Sequence, residues 1–413
     1  MTARRARPRP TRAGLVLAVL AVLVATAGLV APAAAAAPVA PTATLEADLQ
    51  ADLQHYLQDR GAAEHVSAAA VSISLPDQMQ TVDASAGTTA FGGTVPVAPD
   101  ALWQIGSNTK AFTSVLLLQL EAEGRLSIDD PLGRWLPQYP QWAGVTIRRL
   151  LNMTSGIPTY DDQPAFLTDY AADPLRDFSP EELVGYVVAA PATTGYSYSN
   201  TNYVLAELII ERVTGTGYAN QLSARLLDPL GLRNTYYRSH LYPPQIADRM
   251  PAGYYFRTSD PEWSSLVGRD VSRDSLSWAR GAGAILSTTA DMTQWARALY
   301  GGWLLPPQQM AELMSLVSTA TGEPIEGTTA DDPRGFGLGV AQMTDDLGTF
   351  WFYEGETLGF RLLQAYFPES GLIIAIGLNS RPDEDQIGAL ATAVYDTLVT
   401  HGVVKAPPVG AAA

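Results

Sequence analysis

The sequence predicts an α+β fold: an antiparallel sheet built from both chain ends, flanked by helices, with a mostly helical insertion between them. Three observations lead there. Short β-prone runs occur near residues 66–86 and again from 335 to 378, helical periodicity dominates the stretch between, and a helix brackets each group of strands. With 413 residues, 47 % of them hydrophobic and 16 % charged, the chain has enough apolar surface for a large core.

The first element is not part of that fold. Arg4, Arg5, Arg7, Arg9 and Arg12 precede an apolar run from Gly14 to Ala31, and Ala33 to Ala37 then offer the small residues a signal peptidase requires. Residues 1–37 therefore read as a secretion signal, placing the mature protein outside the cell; left uncleaved, the same run would anchor it in a membrane. Arg4-Arg5 is a weak hint of twin-arginine export. Removal of the leader leaves 21 basic against 42 acidic residues. Such an excess repels phosphate backbones and argues against a nucleic-acid partner. With no cysteine in the chain, a disulfide scaffold, a thiolate metal site and a cysteine nucleophile are all excluded.

A Pro/Ala/Thr linker is expected at 38–44. Leu45, Leu49, Leu53 and Leu57 then share one helical face, and Gly61 is expected to break the chain before a strand at Val66–Leu75 and a second near Thr81–Ala86. A helix runs from Ser107 to a stop at Gly124. Helical segments at about 146–153, 180–190, 202–214 and 217–230 lie among loops rich in Pro, Gly, Tyr and Asp; another follows at 289–300. Gly335–Met343, Thr349–Tyr353, Gly359–Phe367 and Leu372–Leu378 read as a strand meander, closed by a helix at 384–400. The resulting domain spans 45–402, its α/β part at about 45–130 and 281–402 and its helical insertion at about 131–280, with a disordered tail at 403–413.

Lysine usage carries the sharpest chemical signal. Of the 26 Lys and Arg residues only Lys110 and Lys405 are lysine. Arginine cannot lose its proton at ordinary pH, whereas a desolvated lysine can, so a site that needs a basic amine must keep lysine. Lys110 follows Ser107 by three residues, which puts amine and hydroxyl on one helical face, near a helix N-terminus that favours an alkoxide. The blander alternative is a solvated lysine beside a capping serine. Tyr198-Ser199-Asn200 is a second candidate: Tyr198 as a proton relay for Ser107 and Asn200 as a hydrogen-bonding partner of a substrate amide or of Lys110, against a plain helix cap. Tyr353-Glu354-Gly355-Glu356 is a third, with Gly355 permitting close approach of a substrate or another backbone; by itself it would pass for a tight hairpin.

In order and spacing, Ser107-x-x-Lys110, Tyr198-x-Asn200 and the glycine-bearing strand at 355 resemble the three motifs of the penicillin-recognising serine hydrolases. The branch they resemble comprises class C β-lactamases, D-alanyl-D-alanine carboxypeptidases and related esterases. Asn152-Met-Thr-Ser-Gly-Ile-Pro158, Pro229-Leu-Gly-Leu-Arg-Asn-Thr235, Gly281-Ala-Gly-Ala-Ile-Leu-Ser-Thr288 and Phe367-Pro-Glu-Ser-Gly371 extend the likeness over about 45–402. The resemblance implies a β-lactamase/transpeptidase-like fold, Ser107 as nucleophile, Lys110 as its base and Tyr198 as proton carrier aided by Asn200. It also implies an oxyanion hole made by the backbone N–H groups of Ser107 and Glu356, and a substrate that is a D-amino-acid peptide, a β-lactam or an ester, with no cofactor and no metal. A non-catalytic relative that only binds cell-wall peptides or a partner is the alternative.

One position departs from the pattern. Tyr353 stands where the family usually has Lys or His to hold a carboxylate, which favours ester over β-lactam substrates. Strand alternation predicts Tyr353 and Gly355 on one face and the two glutamates on the other, away from the cleft. Arg361 is expected either as a replacement cation or as a solvated side chain. No Gly-x-Ser-x-Gly elbow occurs, and the histidines at 55, 65, 240 and 401 lack ligand spacing. The acid pairs Asp129-Asp130, Asp161-Asp162 and Asp331-Asp332 read as solvated loops.

Overall fold

A nine-stranded antiparallel sheet is the frame of the protein, seen in a computed structural model that describes residues 42–76, 81–238 and 240–405. The strands run, edge to edge, Thr81–Gly87, Ala68–Ser74, Leu372–Leu378, Arg361–Phe367, Gly348–Glu356, Ala341–Asp345, Arg334–Phe336, Leu316–Ser318 and Pro324–Ile325. The N-terminal hairpin thus joins the C-terminal meander through the pairing Ala69↔Leu378 to Ser74↔Ile373. Both chain ends supply the sheet, as the sequence predicts.

Alternation assigns the two faces. Ile374 and Ile376 enter an apolar cluster with Leu45, Leu49 and Leu53 of the helix Thr42–Glu64 and with Leu390, Val394 and Leu398 of the helix Ile387–Thr400. Ala375 and Leu362 point the other way, into a larger cluster with Phe112, Trp295 and the helices of the insertion. Strand Leu372–Leu378 is therefore buried on both faces, which its unbroken apolar sequence requires.

Several boundaries differ from expectation. The first helix begins at Thr42, inside the expected linker, and continues through Gly61 to Glu64, because burying its leucine face outweighs one glycine. The run 335–343 is a hairpin rather than one strand: the chain turns where Gly337 N–H donates to Val340 O at 2.8 Å. The stretch 131–280 is not purely helical, since Tyr236–Tyr237 pairs with Ile285–Ser287, which also pairs with Trp103–Gln104, and Tyr254–Phe256 pairs with Ser380–Pro382. Strands of two or three residues carry too little period-two signal to be read from sequence. Val404 is buried against the outer cluster, so the fold continues past 402. The leader at 1–37 and the tail from 406 lie outside the described residues. Among the described residues no helix is long and apolar enough to cross a membrane.

Candidate active site

Ser107 sits on a short turn, Gly106–Asn108, that opens the helix Thr109–Ala122. Two glycines bring this turn against the strand Gly348–Glu356. Gly106 has φ of +51°, and a Cβ there would lie 2.4 Å from the Glu356 carbonyl oxygen; a Cβ on Gly355 would lie 2.0 Å from Ile105 O and 2.8 Å from Ser107 N. Only bare backbones fit. Asn108 Nδ2 fastens the junction by donating to Ile105 O at 3.0 Å and to Leu362 O at 2.8 Å.

One turn further along, Lys110 is completely buried. Its Nζ lies 2.9 Å from Ser107 Oγ, 2.7 Å from Asn200 Oδ1 and 2.9 Å from Ala282 O. Burial lowers its pKa to about 7, and the negative Asp161 acts in the opposite direction. A neutral amine has two hydrogens and one lone pair. With the hydrogens given to the two carbonyl oxygens, the lone pair faces the serine hydroxyl.

Asn200 is the first residue of the helix Asn200–Thr214. Its amide is oriented from behind: Nδ2 donates to Asp161 Oδ2 at 2.8 Å, which turns Oδ1 toward Lys110. Tyr198, two residues earlier, places its hydroxyl 2.5 Å from Ser107 Oγ while the ring borders solvent. Enclosure of the phenol pushes its pKa up to about 12, against the hydrogen bonds from Ser107 and Tyr353. The amine and the phenol are thus held far apart in proton affinity within one cluster.

Ser107 and Lys110 are therefore brought together as their spacing predicts, and Tyr198 and Asn200 join them as the resemblance implies. The strand at 353–356 behaves differently. Tyr353 is buried, with its hydroxyl 3.5 Å from that of Tyr198. Glu354 and Glu356 do not turn away: with Tyr353 they line a cleft of about 1210 Å³ that also contains Ser107, Tyr198 and Asn200. Alternation holds along the strand, but at its end both faces border the cleft. Glu356 accepts from Arg381 Nε at 3.1 Å, and burial beside Asp385 pushes the Glu354 carboxyl upward. The carboxylates of Glu354, Glu356 and Asp385 lie within 4.8 Å of one another. Two of the three already face an arginine, Glu356 with Arg381 and Asp385 with Arg361.

Arg361 fits neither expectation. It is fully buried rather than solvated, and it is not a cleft cation: Nη2 donates to Glu64 at 2.8 Å, Nε donates to Ser380 O at 2.8 Å, and Nη1 bonds Asp385. Alternation puts Arg361 with Leu363 and Ala365 on the face under the first helix, the face it shares with its pairing partner Glu356.

The acid pairs also divide. Asp161 is a functional residue that sequence reasoning missed, since nothing in spacing links residue 161 to residue 200. Asp130 is buried, accepting from Arg134 and Trp135, whereas Asp331 is exposed. The cleft is also lined by Phe166, Leu167, Trp263 and Trp278. These rings pack through edge contacts, Phe166 with Trp263 and both Trp263 and Trp278 with Tyr170. His65 stacks between Phe91 and Phe256, and His401 bonds Asp48, so neither reaches the cleft.

Known proteins are similar to this chain in sequence and in fold. Penicillin-binding protein 4* of Bacillus subtilis is 28 % identical over 316 residues, covering 73 % of this chain and 66 % of that protein. Protein flp of Staphylococcus aureus is 28 % identical over 243 residues, covering 56 % and 45 %. The chain thus spans two thirds or less of these relatives' length. Among solved structures, a D-stereospecific amidohydrolase from Streptomyces sp. superimposes with a TM-score of 0.72 at 28 % identity, covering 85 % of this chain and 98 % of that one. The D-amino acid amidase of Ochrobactrum anthropi SV3 shares the fold, with a TM-score of 0.72 at 23 % identity over 86 % and 99 % of the two chains. Residues 53–397 match the family model described as Beta-lactamase, and the chain belongs to that family of penicillin-recognising serine hydrolases.

Proposed function

We propose that this chain forms an acyl-enzyme on Ser107 and hydrolyses it, acting on amides or esters of D-amino acids or on small esters rather than on substrates that must be held by a carboxylate. The observation that carries the reading is the fully buried Lys110 amine, 2.9 Å from Ser107 Oγ with both remaining partners carbonyl oxygens. In the first step Lys110 takes the Ser107 proton as Oγ bonds to the substrate carbonyl carbon. The oxyanion forms where the N–H groups of Ser107 and Glu356 meet, at the glycine-paired junction of turn and strand. Tyr198, still a phenol at neutral pH, protonates the departing nitrogen or oxygen and recovers a proton from Lys110. Water then repeats the sequence on the acyl-enzyme and releases Ser107.

The substrate preference rests on the cleft. Tyr353 offers no positive charge where a carboxylate would bind, and Glu354, Glu356 and Asp385 stand beside it, so at that point an anionic tail meets like charge while a neutral or amine-bearing substrate does not; Arg257, Arg334 and Arg381 also line the cleft, Arg257 beside Asp260 and Arg381 beside Glu356. The aromatic wall suits an apolar side chain. The similarity to a D-stereospecific amidohydrolase supports an amide of a D-amino acid. Secretion, with removal of about residues 1–37, is part of the same proposal.

The test is a panel of D-amino-acid amides, D-alanyl-D-alanine peptides, p-nitrophenyl esters and β-lactams, run on the protein and on Ser107→Ala. Amide or ester turnover above β-lactam turnover, lost in the variant, is the expected result. Fast penicillin hydrolysis without amidase or esterase activity would reverse the preference, and silence toward all probes would leave only the non-catalytic binding reading. Sequencing the N-terminus of exported protein checks the leader.

A further inference from the structure

Resting on the acyl-hydrolase reading, we propose that Glu207 is a positioning residue for Lys110, acting through the backbone turn at 280–282. Glu207 lies seven residues after Asn200 on the same helix and interrupts an otherwise apolar run, Val204 to Ile210. It is buried, 2 % exposed, and does not line the cleft. Burying a carboxylate is costly unless it is well bonded, and this one is committed to a single place. Gly281 N–H donates to Oε2 at 2.6 Å, the Tyr237 hydroxyl donates to Oε1 at 3.2 Å, and Arg280 Nη1 lies 3.9 Å from Oε1.

The turn so held is the one whose next carbonyl, Ala282 O, accepts from Lys110 Nζ at 2.9 Å. From the other side Thr113, one turn beyond Lys110, donates to Gly281 O at 2.7 Å. Each helix therefore touches the turn or Lys110 twice: Lys110 and Thr113 from the helix Thr109–Ala122, Asn200 and Glu207 from the helix Asn200–Thr214. Arg280 has φ of +44°, a left-handed conformation that a non-glycine residue keeps only when its surroundings hold it. Gly281 leaves no slack, since a Cβ there would lie 3.1 Å from Glu207 Oε2 and 3.3 Å from Thr113 Oγ1. Without the carboxylate the turn is free to relax, and Ala282 O moves off the amine whose lone pair it helps to aim.

The experiment measures fluorophosphonate labelling of Ser107, and kcat and KM for a p-nitrophenyl ester, on the full chain carrying Glu207→Gln, Glu207→Asp or Glu207→Leu, with folding checked by thermal unfolding. Glu207→Leu strands the Gly281 N–H and is expected to slow labelling by about 10- to 100-fold, with kcat falling and KM unchanged. Glu207→Gln keeps an acceptor and is expected to stay within a few-fold of the parent. Glu207→Asp, one methylene short, is expected to fall between them and serves as the reading if the leucine variant does not fold. Parental labelling in a folded Leu or Asp variant, or a Gln variant as slow as Leu, overturns the clamp while Ser107 chemistry stands. Failure of the parent chain itself to label above Ser107→Ala overturns the acyl-hydrolase reading and the clamp with it.

Discussion

Among the described residues two basic side chains, Lys110 and Arg361, are completely buried, and their surroundings make them opposites. Lys110, beneath Ser107, meets only neutral oxygens at hydrogen-bond distance, from Ser107, Asn200 and Ala282. Arg361, at the other side of the sheet under the helix Thr42–Glu64, meets the carboxylates of Glu64 and Asp385. Burial opposes charge in both places. At Lys110 it wins and the pKa falls to about 7; at Arg361 the neighbouring Asp385, Tyr56 and Glu64 outweigh it and the guanidinium is held in its charged form. A buried cation paired with acids is a structural tie, whereas one given only dipoles becomes a base.

The largest expected effect tests the base. Lys110→Met should cut Ser107 acylation by about 10²–10⁴-fold while leaving the fold intact, since a buried amine without a counter-ion stabilises little. Labelling rates and thermal unfolding read the two consequences; a large loss of stability with modest loss of rate would make Lys110 a structural cation like Arg361. The mirror experiment is Arg361→Met, which takes from Asp385 its arginine and leaves Glu64 only Arg60 and the Tyr56 hydroxyl, and should cost about 3–5 kcal/mol in denaturant unfolding. A near-neutral outcome would mean that the pairing merely offsets its own desolvation.

Titration separates the two sites by pH window. Lys110 must be neutral to accept a proton, so kcat/KM should rise with pH through about 7. Its folded pKa lies below its ordinary value of 10.5, so between about 7 and 10.5 the unfolded chain holds the extra proton and the Lys110 contribution to stability increases with pH. Asp385 runs the same way but in acid: burial opposes its charge, yet its pKa is lowered in the fold, where the hydrogen bond from Glu354 and the charge of Arg361 exceed the effect of burial. Its contribution is present above the ordinary carboxylate pKa and is lost as pH falls through the folded value. A rate profile flat from pH 6 to 8 would contradict the assignment of Lys110 as base.

The smallest effect concerns the one acid that acts on Lys110. Asp161→Asn can still accept from Asn200 Nδ2 but removes the charge that raises the lysine pKa. The midpoint of the pH–rate profile should move downward, with the plateau rate reduced by less than about ten-fold, the size expected for one displaced hydrogen bond. An upward shift would show that Asp161 does not act through charge.

Much of the reactive cluster was legible because its residues are neighbours in sequence. Ser107 and Lys110 share one helical turn, Tyr198 and Asn200 flank one helix start, and lysine scarcity marks Lys110 without any structure. What escaped was whatever depends on distant segments meeting. Asp161 reaches Asn200 across a loop although by sequence it reads as a solvated acid, and Arg361, which reads as a solvated or cleft cation, is instead buried against Glu64 and Asp385. Glu354 and Glu356 were assigned by alternation alone, which says which side of a strand a residue takes but not what lies beyond the end of that strand.

By itself, then, the sequence determined the order of elements, the sheet drawn from both chain ends, and the four groups whose chemistry is local, because helical and strand periods act over a few residues. Tertiary structure alone decided which carbonyls face Lys110, which acids enter the cleft and which cation is locked away, since burial and electrostatic environment come from segments 39 to 312 residues apart being brought into contact.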